Sequence, residues 1–495
     1  MSKNVIKVIW FILGAIVFSI ALSVLLQSHR AADAKQAFEN TRRQLRAEGF
    51  KTAPADFDTT NDPATQARTE VLVSVGDPFI PRTCGEQFNL LPWVSDDTSA
   101  QVWKGDSLDF GTRIYQWADL HAMLDTNKET LDNVCEVAIS DAISIDVDAE
   151  PRTRFEETRY LLFCLSQTLC CRAMLEMHDG HHNAAWTNLV SATQLVTARK
   201  LEPDSFSHIQ NAEMLGLVFE ATWQMMQGAI LPDDKLSFLQ AQWESVDLFS
   251  SVSETAEFDC ADVINNCKSQ IPLPGDDSLS VLLQRIIHEP RSEFADLRER
   301  LKAKHYRDFG MPVDQKNVLL YFRTYELDLA RAMKAETWIA MRSLPGITNL
   351  PPYKIADSDL DNYLSSVRQE EFLMLYDVVE SEARRRILIT AIALERYRGR
   401  HGAYPSNLTA LVPEFLKSIS LDFMDGQPLR YRLTGDGHFV LYSVGFDCID
   451  DGGRLPNPDG PEVLPDKDGY FPPPTNEDIV WPRPNVVGTQ LEPKP

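Results

Sequence analysis

Positive charge is scarce in this chain, and so are the short motifs that announce chemistry. Across 495 residues, 48 Lys and Arg stand against 72 Asp and Glu, a net charge of −24. A surface of that sign repels phosphate backbones, so nucleic acid is excluded as an expected partner. Glycine is sparse at 23 residues, and no glycine-rich phosphate loop, H-E-x-x-H or G-x-S-x-G occurs. The signatures of P-loop nucleotide binding, zincin proteolysis and α/β-hydrolase chemistry are therefore absent from the sequence. No two of the eight cysteines stand at C-x-x-C spacing, which removes the common zinc and redox arrangements. What remains is an ordinary apolar share of 44%, enough for a sizeable core and against wholesale disorder.

The charge is unevenly distributed. Residues 1–51 hold eight Lys or Arg and three acids, net +5, whereas residues 452–495 hold four and seven, net −3. A basic stem thus precedes an acidic body. After a short n-region, 1–7, the run from Val8 to Leu26 has 19 residues without a charge. At about 1.5 Å per residue it approaches the hydrocarbon thickness, and it reads as a single-pass transmembrane anchor at 8–26, too long for the h-region of a cleaved signal peptide. The lipid bilayer is then an expected partner. Arg30, Lys35, Arg42, Arg43 and Arg46 come after the run and outnumber Lys3 and Lys7 before it. Taken literally, the positive-inside rule would keep the body in the cytoplasm.

Organisation beyond the anchor is mainly helical. Residues 27–50 continue as a basic stem helix, and 51–115, broken by Pro54, Pro63, Pro78, Pro81 and Pro92, reads as an irregular wrapping segment. Between 116 and 366 apolar-periodic stretches alternate with breaks such as Asp179-Gly180 and Pro232-Asp233, giving an irregular multi-helix body. The pair of helices around 160–199 faintly resembles one tetratricopeptide hairpin, with no second copy at that period. Cys164 and Cys171, like Cys260 and Cys267, lie seven apart on helical stretches, about 10 Å, too far for a disulfide, and read as small core hydrophobes.

A change of character begins at 367. Phe372, Leu375, Val379, Ala383, Ile387, Ala391, Leu394 and Tyr397 recur at steps of three or four and make a stripe on a long helix, with Arg384, Arg385 and Arg386 on its polar side. Gly402 stops that helix, and residues 407–416 predict a short helix with Ser406 as N-cap. Leu429–Arg432 and Phe439–Ser443 then alternate as two strands around Thr434-Gly435-Asp436-Gly437, a hairpin turn. Residues 367–451 are thus a small α+β module. The tail, 452–495, holds 11 of the 29 prolines and reads as extended except for a docking element at 477–482, centred on Ile479-Val480-Trp481.

Several residues of this module stand in a specific order: Gly402-Tyr404-Pro405, Leu408-Leu411-Val412-Pro413, Asp422 before Gly426-Pro428, and Tyr442-Ser443-Gly445-Asp447. In that order the stretch resembles the soluble domain of the type II secretion major pseudopilin. The resemblance covers about a ninth of the chain. It implies an extracytoplasmic domain on the inner membrane, with the body in the periplasm, and a last loop that binds calcium. The matching residues are Asp447, Asp450 and Asp451, with Asp478-Ile479 as the closing element, and hard oxygen donors beside glycines suit Ca²⁺. The family's processing signature is missing from the N-terminal helix, so the module is expected to serve in binding or scaffolding toward a protein partner rather than as a fibre subunit.

Other candidates are weaker in context. Gly105-Asp106-Ser107-Leu108 spells the nucleophile block of GDSL hydrolases, making a membrane-tethered serine hydrolase the alternative function, although only Asp179 and His182 offer a downstream Asp-x-x-His. His178, His181 and His182 crowd one helix break, and Asp146, Asp148 and Glu150, like Asp466 and Asp468, spell fragments of calcium loops.

Overall fold

The computed structural model describes residues 26, 29–57, 63–76, 102–104, 107–109, 114–139, 143–144, 152–200, 202–228, 231–266, 306–347, 358–453 and 478–481. In chain order the helices are α1 (29–47), α2 (Pro63–Gly76), α3 (Trp117–Thr126), α4 (Lys128–Ala138), α5 (Arg152–His178), α6 (His182–Thr197), α7 (Ser205–Gly228), α8 (Asp233–Glu244), α9 (Val252–Asn266), α10 (Met311–Ala332), α11 (Trp338–Met341) and α12 (Ser358–His401). Strands are few: β1 (Ser107–Asp109) with β2 (Ile114–Gln116), β3 (Ile143–Ser144) with β4 (Arg199–Lys200), and a three-stranded sheet β5 (Arg430–Leu433), β6 (Phe439–Ser443), β7 (Ile479–Val480). Among the described residues the protein is mainly helical, with one three-stranded sheet and two two-stranded ribbons. The candidate membrane segment 8–25 lies outside the described residues; among the described residues no helix is long and apolar enough to cross a membrane.

These elements gather into two compact units whose limits differ from the boundaries drawn from sequence. One is drawn from Met1–Asp58, Glu254–Asp328 and Leu350–Arg368, the other from Thr59–Ser253, Leu329–Asn349 and Gln369–Pro495. The stretch 116–366 is therefore not one body. Periodicity within a helix says which face is apolar, but not which distant helix covers it.

In the first unit, α1 leads into a tight corner. Phe50 is buried beside the Arg323 guanidinium, and Asp56 Oδ2 accepts the amides of Thr52 and Ala53, each at 3.0 Å. Phe57 meets Phe258 of α9 edge-on, and Lys51 reaches Glu254 at 3.0 Å. The corner thus ties the stem to α9 through one aromatic pair and one ion pair. Beneath it, burial and the neighbouring Glu326 push the Glu257 carboxyl up to about 7.

The second unit is built on the α5–α6 hairpin, where buried Ala173, Ala185 and Ala192 let two helices and α7 approach closely. α2 corrects the expectation of an irregular 51–115: Pro63 occupies its first position, where a missing N–H costs nothing, and Leu72 is fully buried. Cys164 is disulfide-bonded, which corrects its assignment as a small core hydrophobe. Spacing along one helix excluded a bond to Cys171 and could say nothing of a cysteine elsewhere; Cys171 and Cys260 are buried and in no disulfide, as expected.

In this unit α12 is buried on almost every side from Ile387 to Leu394, and its stripe residues Leu375, Val379, Ala383 and Ile387 are all in the core. The three arginines expected on a polar side are half-buried instead. Arg385 and Arg386 both bond buried Glu382, Arg385 also donates to the Trp243 carbonyl at 2.8 Å, and Arg386 donates to the Leu421 carbonyl at 3.0 Å. They fasten α12 to α8 and to the loop beyond it. Gly402 ends the helix at φ +79°, its amide returning to the Arg398 carbonyl. Beyond it the chain makes a single 3₁₀ turn, Leu408–Leu411, capped by Asn407 rather than Ser406: Asn407 Oδ1 accepts the Thr409 amide at 3.1 Å. Pro413, which has no amide to donate, keeps that turn from extending to 416.

Candidate functional site

The sheet ends in a cluster of aspartates around one arginine. Antiparallel pairing sets Arg430 opposite Tyr442 and Leu433 opposite Phe439, with the Thr434–His438 turn closing the hairpin. β7 then adds to the far edge of β6, Tyr442 facing Val480 and Ser443 facing Ile479, and Trp481 packs edge-on against Phe219. The bulk of this pairing lies on β6, whose five residues are all buried. A central strand of Phe, Val, Leu, Tyr and Ser is favoured there because both of its faces are covered.

Asp422 is the hub. It has no exposed surface, and its carboxylate accepts the Met424 amide at 2.9 Å, the Ser443 hydroxyl at 2.7 Å and the Val444 amide at 2.9 Å. Burial pushes its carboxyl up, against those three donors. Arg430 supplies the counter-charge: it donates to Asp422 at 3.2 Å, binds Asp425 through two nitrogens at 3.0 and 2.5 Å, and lies 3.6 Å from Asp450. Burial raises the Asp425 carboxyl, but the Arg430 hydrogen bond and the Gln427 amide outweigh it and hold the group below the usual range. Asp450 is held low against its own burial in the same way, by the Tyr442 hydroxyl at 2.8 Å, the Gly452 amide and Arg430.

Three of the four expected calcium ligands have other partners, and the fourth is exposed. Asp447 Oδ1 accepts the Ile449 amide at 2.9 Å. Asp450 is committed to Tyr442 and Arg430, and Asp478 accepts the Asp451 and Gly453 amides at 3.5 and 2.7 Å. Asp451 is exposed. Calcium wants about six to eight converging oxygens. Among the described residues no group of three or more His, Cys, Asp or Glu side chains is disposed to hold a metal ion, and here the carboxylates face amides and a guanidinium instead. As arranged, the four aspartates do not fit the ion.

A second feature, missed from sequence, is a cleft of about 680 Å³ where α12 ends against the start of α8. Met226, Leu231 and Leu236 make its apolar wall, and Arg396, Arg398 and Arg400 its polar one. Each arginine is paired: Asp233 takes Arg396 at 2.7 Å and Arg400 at 3.2 Å, Glu395 takes Arg398 at 2.5 Å, and Glu414 takes Arg400 as well. The Arg396 hydrogen bond holds the Asp233 carboxyl below its ordinary value. Burial pushes Glu395 up, while the Tyr404 hydroxyl donates to it at 2.5 Å. The alternation Arg-x-Arg-x-Arg at 396–400 was the available signal; only α8 turned it into a wall.

The remaining candidates are dispersed. Ser107 opens a three-residue strand in a two-stranded ribbon, not a strand feeding a larger sheet, and Asp179 engages His121 at 2.8 Å. The three histidines do not converge: His178 bonds the Trp103 carbonyl and stacks on Trp117, and His181 bonds Glu176. Asp146, Asp148, Glu150, Asp466 and Asp468 lie outside the described residues. Comparison of the chain with protein-family models, with curated proteins and with solved structures finds no match.

Proposed function

We propose that the chain is a binding or scaffolding protein of the inner membrane, anchored by the single pass at 8–26, with its helical body and a pseudopilin-like C-terminal module in the periplasm. One observation carries the module assignment. The residues that give the sequence its resemblance are the residues that fasten the module: Tyr404 to Glu395, Pro405 to the Tyr431 hydroxyl at 2.7 Å, Asp422 to Ser443 and Val444. Punctuation residues kept for a fold are expected in such roles, satisfying buried polar groups. An oxidised Cys164 agrees with an extracytoplasmic compartment.

The cleft beside α12 is the binding surface in this reading. Its apolar wall and its row of carboxylate-paired arginines suit a protein segment that carries an acidic side chain next to an aliphatic one, exchanging for Asp233 or Glu414. The test is a pair of reporters fused after residue 495 of the full chain, one active only outside the cytoplasm and one only inside. Signal from the first and silence from the second is expected; the reverse would place the body in the cytoplasm and end the proposal. Cross-linking in intact membranes should then trap a partner at Leu236, and Arg396→Glu should abolish the adduct.

A further inference from the structure

The first unit contains a cavity of about 540 Å³ between α1, the 52–54 corner, α9 and α10. Its walls combine apolar Phe38, Ile264 and Met311 with the cations Lys35, Arg42 and Arg307. Glu39 is the one acid among its lining residues, so three positive charges face one negative in a chain whose net charge is −24. Lys35 and Arg42 are seven residues apart on α1, which puts them on one face about 10 Å apart along the axis. Arg42 is held in place by donating to the Thr52 hydroxyl at 3.2 Å, and Gln315 closes the floor by donating to the Ile264 carbonyl at 3.4 Å.

Position decides the ligand. Ala31, at the near edge of the cavity, is five residues from Leu26, where the apolar run ends. Even fully extended, that chain spans at most about 18 Å, so the cavity opens within reach of the headgroup layer of the membrane that holds the anchor. A cavity with an apolar wall, a cationic rim and that location matches a molecule with a phosphate at one end and hydrocarbon at the other. We infer that this cavity is a binding site for one anionic phospholipid, its phosphate between Lys35, Arg42 and Arg307 and an acyl chain against Phe38, Ile264 and Met311. The bound lipid would set the height and tilt of the first unit above the bilayer. The inference rests on the anchored reading.

The experiment uses the full chain. Cells are fractionated, the membrane-bound protein is extracted in mild detergent, and retained lipid is counted by native mass spectrometry after exchange with phosphatidylglycerol or phosphatidylcholine. Recovery in membranes with one phosphatidylglycerol retained and no phosphatidylcholine is the expected result. Lys35→Glu with Arg307→Glu should lower phosphatidylglycerol occupancy by about tenfold or more, while Lys35→Gln alone lowers it less and guards against misfolding as the cause. A membrane-bound chain that retains no lipid, or equal amounts of both, overturns the inference and leaves the anchor intact. Displacement of the lipid by inorganic phosphate would assign the site to a free anion and overturn it too. A chain recovered only as soluble protein would remove the anchored reading, and the lipid site with it.

Discussion

Asp478 accepts the amide of Gly453 at 2.7 Å across 25 residues of sequence. With that bond and its partner from Asp451, one carboxylate closes the loop after β6 and starts β7 on the sheet edge. Asp478→Ala is expected to cost about 1–3 kcal/mol, because two buried or half-buried amides lose their acceptor. Denaturant unfolding measures the cost, and limited proteolysis should show new cutting near Trp481. An unchanged midpoint with unchanged cutting would mean that β7 is held by Trp481 packing alone.

The Asp422 hub sets a contrast between two substitutions. Ser443→Ala removes one of several donors and should cost about 1 kcal/mol, whereas Asp422→Ala strands the Met424 and Val444 amides and the Arg430 charge, a loss of about 3–5 kcal/mol. Equal effects of the two changes would contradict the hub geometry.

Arg430 already stands where a cation would be needed among Asp422, Asp425 and Asp450. The melting temperature should therefore be the same in excess EDTA and in millimolar Ca²⁺, while Arg430→Met lowers it in both. A rise with calcium in the unaltered protein would show that Asp447, Asp450, Asp451 and Asp478 rearrange to bind the ion after all.

Asp377 gives part of the pH dependence, alongside Glu257, whose carboxyl burial also raises to about 7. Burial, then Glu380 and Glu213, push the Asp377 carboxyl up to about 7, so between the ordinary value of about 3.9 and 7 the folded protein holds a proton that the unfolded chain has released. Stability from this group is therefore full at low pH and falls as pH rises through that window. Asp377→Asn should flatten the fall and raise stability at pH 8, read from urea midpoints at pH 5 and pH 8. If the two midpoints differ as much in the variant as in the parent, Asp377 is not the group responsible.

The Glu395–Tyr404 pair behaves differently. Tyr404→Phe removes a hydrogen bond to a carboxylate that burial already disfavours, so its cost of about 1–2 kcal/mol should shrink as pH is lowered and Glu395 takes up its proton. A cost independent of pH would mean that Glu395 stays protonated throughout.

Local sequence determined the parts of this protein that depend on nearest neighbours. Periodicity sufficed for the long helix and its buried stripe at Leu375, Val379 and Ala383, because a helix repeats every 3.6 residues whatever covers it. Turn chemistry sufficed for the hairpin, since Asp436-Gly437 sets the reversal by itself. Proline counting misled at 63–76, where position within the helix, not presence, decides the outcome. The rest was settled only by tertiary structure, because electrostatic roles depend on who arrives from far away. Asp447, Asp450, Asp451 and Asp478 have the composition of a calcium loop, yet Arg430, the Tyr442 hydroxyl and four backbone amides occupy Asp447, Asp450 and Asp478. Arg396 and Arg400 look like a solvated helix end until Asp233 comes from α8, and Lys35 and Arg42 like a bare basic stem until α9 and α10 enclose them. Sequence sets which charges exist and how they are spaced along one element, and folding decides which of them meet.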